Sequence, residues 1–295
     1  MLSVQPMRRF IRRIGGMEVN MRKGKIADNV LKILVLILSL VFISPLYVAL
    51  VNAFKSYEEI VKHPLSLPFH FTLKNLKDAF SSAHIAQLYY TSTLITVVSV
   101  VLIIFFSSMA SYVLAKRSNK IYKYLYLFFL IGIMVPGQLV VIPSLKTLQF
   151  LHLLHTLPGL YLFYVGGYTS MGVFLYVEFI KTIPDSIEES GIIDGAGTFT
   201  IFFRLIFPLL KPCTATAVIF FGLWVWNDFL APMYILGSNN GRTITTGIYG
   251  AIGSRTTEWN IVFACVLFAS IPVVLLYLLL QKQFMKGLTA GAVKG

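Results

Sequence analysis

Charge is what this chain has least of. Only 13% of its 295 residues are Asp, Glu, Lys or Arg, against about 25% in a soluble domain. Meanwhile 57% are hydrophobic, and the mean hydropathy is +0.77. Such a chain cannot cover a soluble surface, so a globular protein free in solution is excluded. Acids are scarcer than bases, with 12 Asp and Glu against 25 Lys and Arg and a formal net charge of +13. The excess does not mark a nucleic-acid binder, because the bases lie in short clusters beside apolar runs with no interleaved aromatics. Cysteine is almost missing. Cys213 and Cys265 lie at the edge of or within apolar runs, which excludes a disulfide framework and fits no metal-site spacing. They read as small buried apolar residues. There is no phosphate-binding G-x-x-x-x-G-K-[ST] loop. The nearest approach, Gly237-Ser238-Asn239-Asn240-Gly241-Arg242-Thr243, has the wrong spacing and lacks the Lys. Low-complexity tracts and clear internal repeats are also missing, which weighs against secondary transporters built from repeats.

What is present is a series of long apolar runs. A spanning helix needs about 20 mostly apolar residues. Six runs qualify, over 30–53, 88–115, 122–145, 157–180, 213–236 and 261–280. The third is interrupted by Pro136-Gly137 and Pro143, and the fourth is softened by several glycines. The basic lead Arg8-Arg9-Phe10-Ile11-Arg12-Arg13 precedes a first run as long as a full span, with no small-residue cleavage site after it. It reads as an uncleaved first span.

Orientation follows from the bases. With the N-terminus inside, the outer segments hold only Lys55, Lys62, Lys74, Lys77, Lys146, Arg242 and Arg255. The clusters at 8–32, 116–123, 181–211 and 282–294 all fall inside. This asymmetry predicts both termini in the cytoplasm. It divides the chain into a basic cytoplasmic segment at 1–29, a six-span domain at 30–281 and a cytoplasmic tail at 282–295. The outer segment 55–87 has room for a short amphipathic element lying on the membrane. Residues 237–259, rich in Gly, Ser, Asn and Thr, read as a solvent-exposed loop.

The polar stretch at 183–212, between the fourth and fifth runs, is then cytoplasmic. Its layout predicts a short helix, a glycine turn and a second short helix. Pro184 suits a helix start. Asp185, Glu188 and Glu189 follow at the positive end of the helix dipole. Ile183, Ile187, Ile192 and Ile193 can supply an apolar side for docking. Gly195 and Gly197 can take backbone angles closed to other residues. Thr198 is the expected N-cap of the second helix, which carries Phe199, Phe202, Phe203 and Ile206. A lipid-seeking surface helix is usually basic. This one is acidic, so a basic protein partner fits better.

Glu189-Ser190-Gly191-Ile192-Ile193-Asp194-Gly195-Ala196, followed by Phe202-Phe203-Arg204-Leu205-Ile206-Phe207-Pro208-Leu209-Leu210-Lys211-Pro212, resembles the "EAA" loop of membrane permeases of carbohydrate-uptake ABC importers. Trp226-Asn227-Asp228-Phe229-Leu230-Ala231-Pro232 resembles that family's fifth-span signature. The tail from Gln281 to Gly295 is similar to the end of the second permease of maltose-type systems. One departure is Ser190-Gly191 where the family usually has Ala. Gly inside a helix costs about 1 kcal/mol relative to Ala, so the first loop helix is expected to be less stable until it docks.

The resemblance implies an all-α membrane protein with the type I ABC importer permease fold, in a bacterial cell membrane. It implies a second, homologous permease, two ABC ATPase subunits and an extracellular sugar-binding protein that delivers a carbohydrate. ATP and magnesium would be bound by the ATPases, and this chain would carry no cofactor and catalyse nothing itself. Asp185, Glu188, Glu189, Asp194, Gly195 and Ala196 would couple to the ATPase, with Glu189 contacting a basic residue there and Gly195 forming the turn. The segment 237–259 would face the binding protein.

Other polar residues carry rival readings. His152 and His155 could ligate a metal, but with no nearby Cys or carboxylate partner they read as interfacial histidines. Asp228 is the one carboxylate inside an expected span, and Glu178 lies near the inner end of another. Intramembrane ionisable groups are functional candidates by default. Asp228 would be the relay of an ion-coupled transporter, or, with Asn227, an anchor bonding across helices. The anchor is favoured, since no Arg, Lys or His partner is evident. Trp224 and Trp226 could stack on a sugar or simply pack. Trp224, Asn227 and Asp228 are the substrate-pathway candidates.

Overall fold

In a computed structural model, residues 24–82, 84–117, 119–237, 242–254 and 258–292 are described. The arginine-rich lead, the last residues of the tail and most of 237–243 lie outside them. The described residues are helical, with no strand among them. Four helices are long and apolar enough to cross a membrane: α1 (Gly24–Asn52), α4 (Ile85–Lys116), α7 (Leu157–Ile180) and α13 (Trp259–Ala292).

The other two expected runs are broken. Helices α5 (Lys120–Met134) and α6 (Gly137–Phe150) meet at 107°. At 15 residues, α5 is about 22 Å long, less than the roughly 30 Å hydrocarbon core. The break falls at Val135-Pro136, because the residue before a proline is pushed out of the helical region. The fifth run is shorter than expected. Helix α10 (Lys211–Asn227) stops at Asp228, and Leu230–Ile235 forms a separate short helix, α11. Four spans are therefore continuous, or up to six if each bent pair counts as one.

Helices α4 and α7 form the centre. Small residues allow their close approach: a Cβ on Gly172 would lie 2.2 Å from Ser107 Oγ and 2.6 Å from Ser107 Cβ. Ser111 Oγ donates to the Val173 carbonyl at 3.2 Å. Apolar membrane helices gain no hydrophobic drive from meeting each other, so tight packing and interhelical hydrogen bonds hold them. One core cluster joins α4, α7, α10 and the loop after α7, through Ile103, Tyr164, Tyr176, Phe202, Ile206 and Phe221. A second joins α4, α10, α12 and α13, where Leu88, Trp226, Ile248, Ile261 and Cys265 pack together. Both cysteines are buried.

The segment after α1 carries two short helices, α2 (Tyr57–Lys62) and α3 (Lys74–Ser82). Lys55, counted above as an outer basic residue, is fully buried, with Nζ donating to the His63 carbonyl at 2.8 Å. Burial lowers its pKa from 10.5, while the Glu59 charge pulls the other way. Asn75 ties the corner together. Its side chain donates to the Ala53 and Lys55 carbonyls and accepts from Asn260 of α13.

The expected loop at 237–259 contains a helix instead, α12 (Ile244–Ser254). Its Gly and Thr content suggested a loop, but here it serves packing. A Cβ on Gly247 would lie 2.4 Å from Leu88 Cδ1, so glycine lets α12 rest on α4. The Ile244 N–H donates to Ser92 Oγ at 2.7 Å.

Candidate functional site

The loop after α7 has the expected helix–turn–helix layout with three differences. The first helix, α8, runs Asp185–Ile193 behind Pro184, which is its N-cap. At the far end Gly195 has φ +74°. Its N–H donates to the Ile192 carbonyl at 3.0 Å, and the Ala196 N–H donates to the Gly191 carbonyl at 2.9 Å. These are the paired 5→2 and 6→1 bonds of a Schellman turn. Gly195 and Ala196 thus end the helix, and Ala196 packs against the core. Gly197 is the first difference, since its φ of −71° and ψ of 160° are open to any residue. The second is that Gly197, not Thr198, is the N-cap of the next helix, which places Thr198 inside it. Third, that helix, α9 (Thr198–Leu209), winds as a π-helix over Ile201–Ile206. Helix α9 bends by 77° into α10.

Helix α8 has two faces. Gly191 is buried against α9, where a Cβ would lie 2.8 Å from Leu205 Cδ1 and 3.1 Å from Ile201 Cγ1. That packing explains a glycine where the resemblance led to the expectation of Ala. Ile187 also packs against the core. Two of the acids point to α4. Tyr112 Oη donates to Glu188 Oε1 at 2.7 Å, and Lys116 Nζ lies 2.5 Å from Asp185 Oδ1. Lys116 also donates to the Ile183 carbonyl at 3.2 Å. Sequence reasoning missed Tyr112 and did not give Lys116 this role. Their signal was slight: an i, i+4 polar pair at the end of an otherwise apolar helix.

The other face is open. Glu189, Ile192, Ile193 and Asp194 are exposed, Ile192 at 60% and Ile193 at 85%. Neither the Glu189 nor the Asp194 carboxylate has a hydrogen bond or ion pair among the described residues. Phe199 is 69% exposed beside them, whereas Phe202 and Ile206 turn into the core. A short, anchored helix that displays two free acids and two large apolar side chains, with Phe199 of α9 beside them, has the chemistry of a protein-docking surface.

The substrate-pathway candidates lie at the other end of α10. Asp228 Oδ1 accepts from the Leu230 and Ala231 N–H groups at 3.0 and 3.4 Å, which caps the start of α11. Its carbonyl accepts from Thr245 Oγ1. Its carboxylate also faces the Tyr164 hydroxyl of α7, so the anchoring is played across helices as well as to backbone donors. Asn227 is exposed and bonds the Leu223 carbonyl within its own helix. Trp224 is 39% exposed and leans on Tyr168, with centroids 5.4 Å apart, whereas Trp226 is buried against Tyr89. His152 and His155 both occupy left-handed backbone positions, so they serve turns. Glu178 accepts from Tyr126 and from Lys181.

Apolar spans around a small-residue centre, with an anchored loop offering an acidic and apolar face, define a helical, multi-span membrane protein. The chain belongs to the family described as the binding-protein-dependent transport system inner membrane component, which matches residues 107–289. It is 36% identical to the probable starch degradation products transport system permease protein AmyC of Thermoanaerobacterium thermosulfurigenes, over 93% of this chain and 100% of that protein. It is 32% identical to the melibiose/raffinose/stachyose import permease protein MelC of Bacillus subtilis (strain 168), over 90% of this chain and 97% of that one. Its fold matches a chain in the crystal structure of a bacterial ABC transporter involved in import of the acidic polysaccharide alginate. The TM-score is 0.79 at 20% identity, covering 89% of this chain and 98% of that one.

Proposed function

We propose that this chain is one permease subunit of an ATP-driven importer and forms half of the pathway for a sugar or oligosaccharide. The observation that carries this reading is the division of α8. One face is locked to the spans, and the other offers Glu189 and Asp194 unpaired beside Ile192 and Ile193. A basic, apolar-lined cleft in an ATPase subunit is the natural complement. Glu189 and Asp194 contact that cleft, Gly195 and Ala196 hold the turn, and Asp185 and Glu188 fix the helix from behind. The relatives that handle starch products and melibiose, raffinose and stachyose support a carbohydrate cargo.

The rest of the assembly follows from this reading. A second, homologous permease completes the pathway, two ATPases bind ATP and magnesium, and an extracellular binding protein delivers the sugar. Each bent pair counts as one span, giving six, with both termini cytoplasmic. The basic segment 1–29 leads into the permease domain 30–281, its coupling loop at about 183–212, and the tail 282–295 lies near the ATPases. Trp224, exposed and backed by Tyr168, Phe220 and Phe221, is the surface on which a sugar ring stacks, with Asn227 and Asp228 beside it.

Photo-crosslinking tests the docking face. A photoreactive residue in place of Ile193 should capture an ATP-binding subunit in native membranes, whereas one in place of the buried, Gly191-facing Ile201 should not. Capture of lipid alone from position 193 would defeat the reading.

A further inference from the structure

The loop is joined by the chain to α7 and α10, yet its strongest polar contacts are with α4, which is not its neighbour in sequence. Tyr112 and Lys116 lie one turn apart on α4, and Asp185 and Glu188 one turn apart on α8. They pair two against two, at 2.7 Å and 2.5 Å. Tyr112 is 5% exposed, and its ring packs on Phe202 of α9 with centroids 5.4 Å apart. One hydrogen bond would fix a point and leave rotation free. Two bonds about 5–6 Å apart, the spacing of i, i+4 side chains, fix an angle as well.

The other end of α4 is also tied down. Ser92 accepts the Ile244 N–H of α12, and Leu88 packs under Gly247. From Ser92 to Tyr112 the helix rises about 30 Å, roughly the thickness of the hydrocarbon core. Helix α12 in turn holds the Asp228 corner through Thr245.

We propose that α4 is the lever of this subunit. On this view the Tyr112–Glu188 and Lys116–Asp185 pairs form a two-point grip that makes the coupling helix and α4 turn as one body. A push on the exposed face of α8 then reaches α12 and the Asp228 corner through α4, instead of being absorbed by the 181–184 connection. Tyr112, Lys116, Asp185 and Glu188 are positioning residues, since none needs to touch ATPase or sugar. The inference rests on the docking reading of α8 given above.

The test separates the two. Asp185 is largely exposed, and an ion pair of that kind adds little to stability. Tyr112→Phe keeps the ring on Phe202. The Tyr112→Phe/Lys116→Met double variant should therefore insert and assemble. In the full complex in proteoliposomes, supplied with radiolabelled maltotriose or raffinose, it should keep hydrolysing ATP while uptake per ATP falls about tenfold. Neither Lys116→Asp nor Asp185→Lys alone should match their combination, which should recover at least half of the ratio. Proportional loss of hydrolysis and uptake, or an unchanged ratio, overturns the lever. Hydrogen exchange provides a reading independent of transport. The double variant should speed exchange of the α8 amides at least fivefold and leave the centre of α4 unchanged. Unchanged α8 exchange overturns the grip whatever the loop docks to. Loss of ATP-driven uptake in the wild-type complex would instead count against the function proposed above.

Discussion

Two glycines of the turn after α8, two residues apart, should respond differently to the same substitution. Nothing lies within 4 Å of a Cβ built on Gly195 or on Gly197, so neither alanine meets a clash and the backbone alone decides. At Gly195 φ is +74°, where an L side chain costs about 1–2 kcal/mol. With about 1.4 kcal/mol per factor of ten, Gly195→Ala should populate the opened turn roughly 5- to 30-fold more. Gly195→Asn should cost less, because Asn tolerates this region. Gly197, at φ −71° and ψ 160°, suits any residue, and Ala there removes freedom from the unfolded chain. That gain of about 0.4–1 kcal/mol is offset by the lower N-cap preference of Ala than of Gly, so the turn should hold. The reporters are the Gly195 and Ala196 amides, whose bonds to Ile192 and Gly191 close the turn. Their hydrogen exchange should quicken in Gly195→Ala and hold in Gly197→Ala, and uptake should follow the same order. Equal effects of the two alanines would refute the assignment of the turn to Gly195.

Other outcomes follow from the packing and the polar contacts. Gly172→Ala should destabilise by about 1–3 kcal/mol through overpacking. Ser107→Gly in the same chain should restore the melting temperature, but Ser107→Ala should not, because the Ser107 Cβ itself is 2.6 Å from the new methyl. Lys55 has a depressed folded-state pKa, so folding disfavours its charged form at neutral pH. Its contribution to stability should therefore rise as pH climbs through the folded pKa towards 10.5, seen as a difference in melting temperature between wild type and Lys55→Met that changes over that window. Asp228→Ala should cost about 1 kcal/mol, as the loss of a helix cap does, with faster exchange in α11. Any uptake that remains should stay insensitive to a collapsed proton gradient.

The broad architecture was legible because apolar runs of span length and the clustering of bases are direct physical signatures of a membrane. Pro136 marked the third break in advance. The end of α10 was not visible, because Asp228 stops the helix by folding its carboxylate onto the Leu230 and Ala231 amides, inside a run whose average hydropathy stays high. Helix α12 was hidden for a related reason. Its glycines lower helix propensity, and the value of Gly247 lies in a contact with Leu88, more than 150 positions away in the chain. The loop was readable as helix–turn–helix from Pro184, the acids and the glycines. Which acids face inward was not, since that depends on Tyr112 and Lys116 arriving from α4. Gly195 and Gly197 look alike in sequence and differ only in the dihedral angle that the Schellman bonds impose.

The docking claim stands or falls with Glu189, which is exposed and makes no hydrogen bond or ion pair among the described residues, so changing it leaves the fold alone. ATP-driven uptake should be compared for the wild-type complex and its Glu189→Lys variant in proteoliposomes with matched amounts of inserted subunit. The variant should insert normally and lose uptake together with its ATPase contact. Uptake that survives Glu189→Lys, and fails instead when the proton gradient is collapsed, would contradict it and favour an ion-coupled transporter.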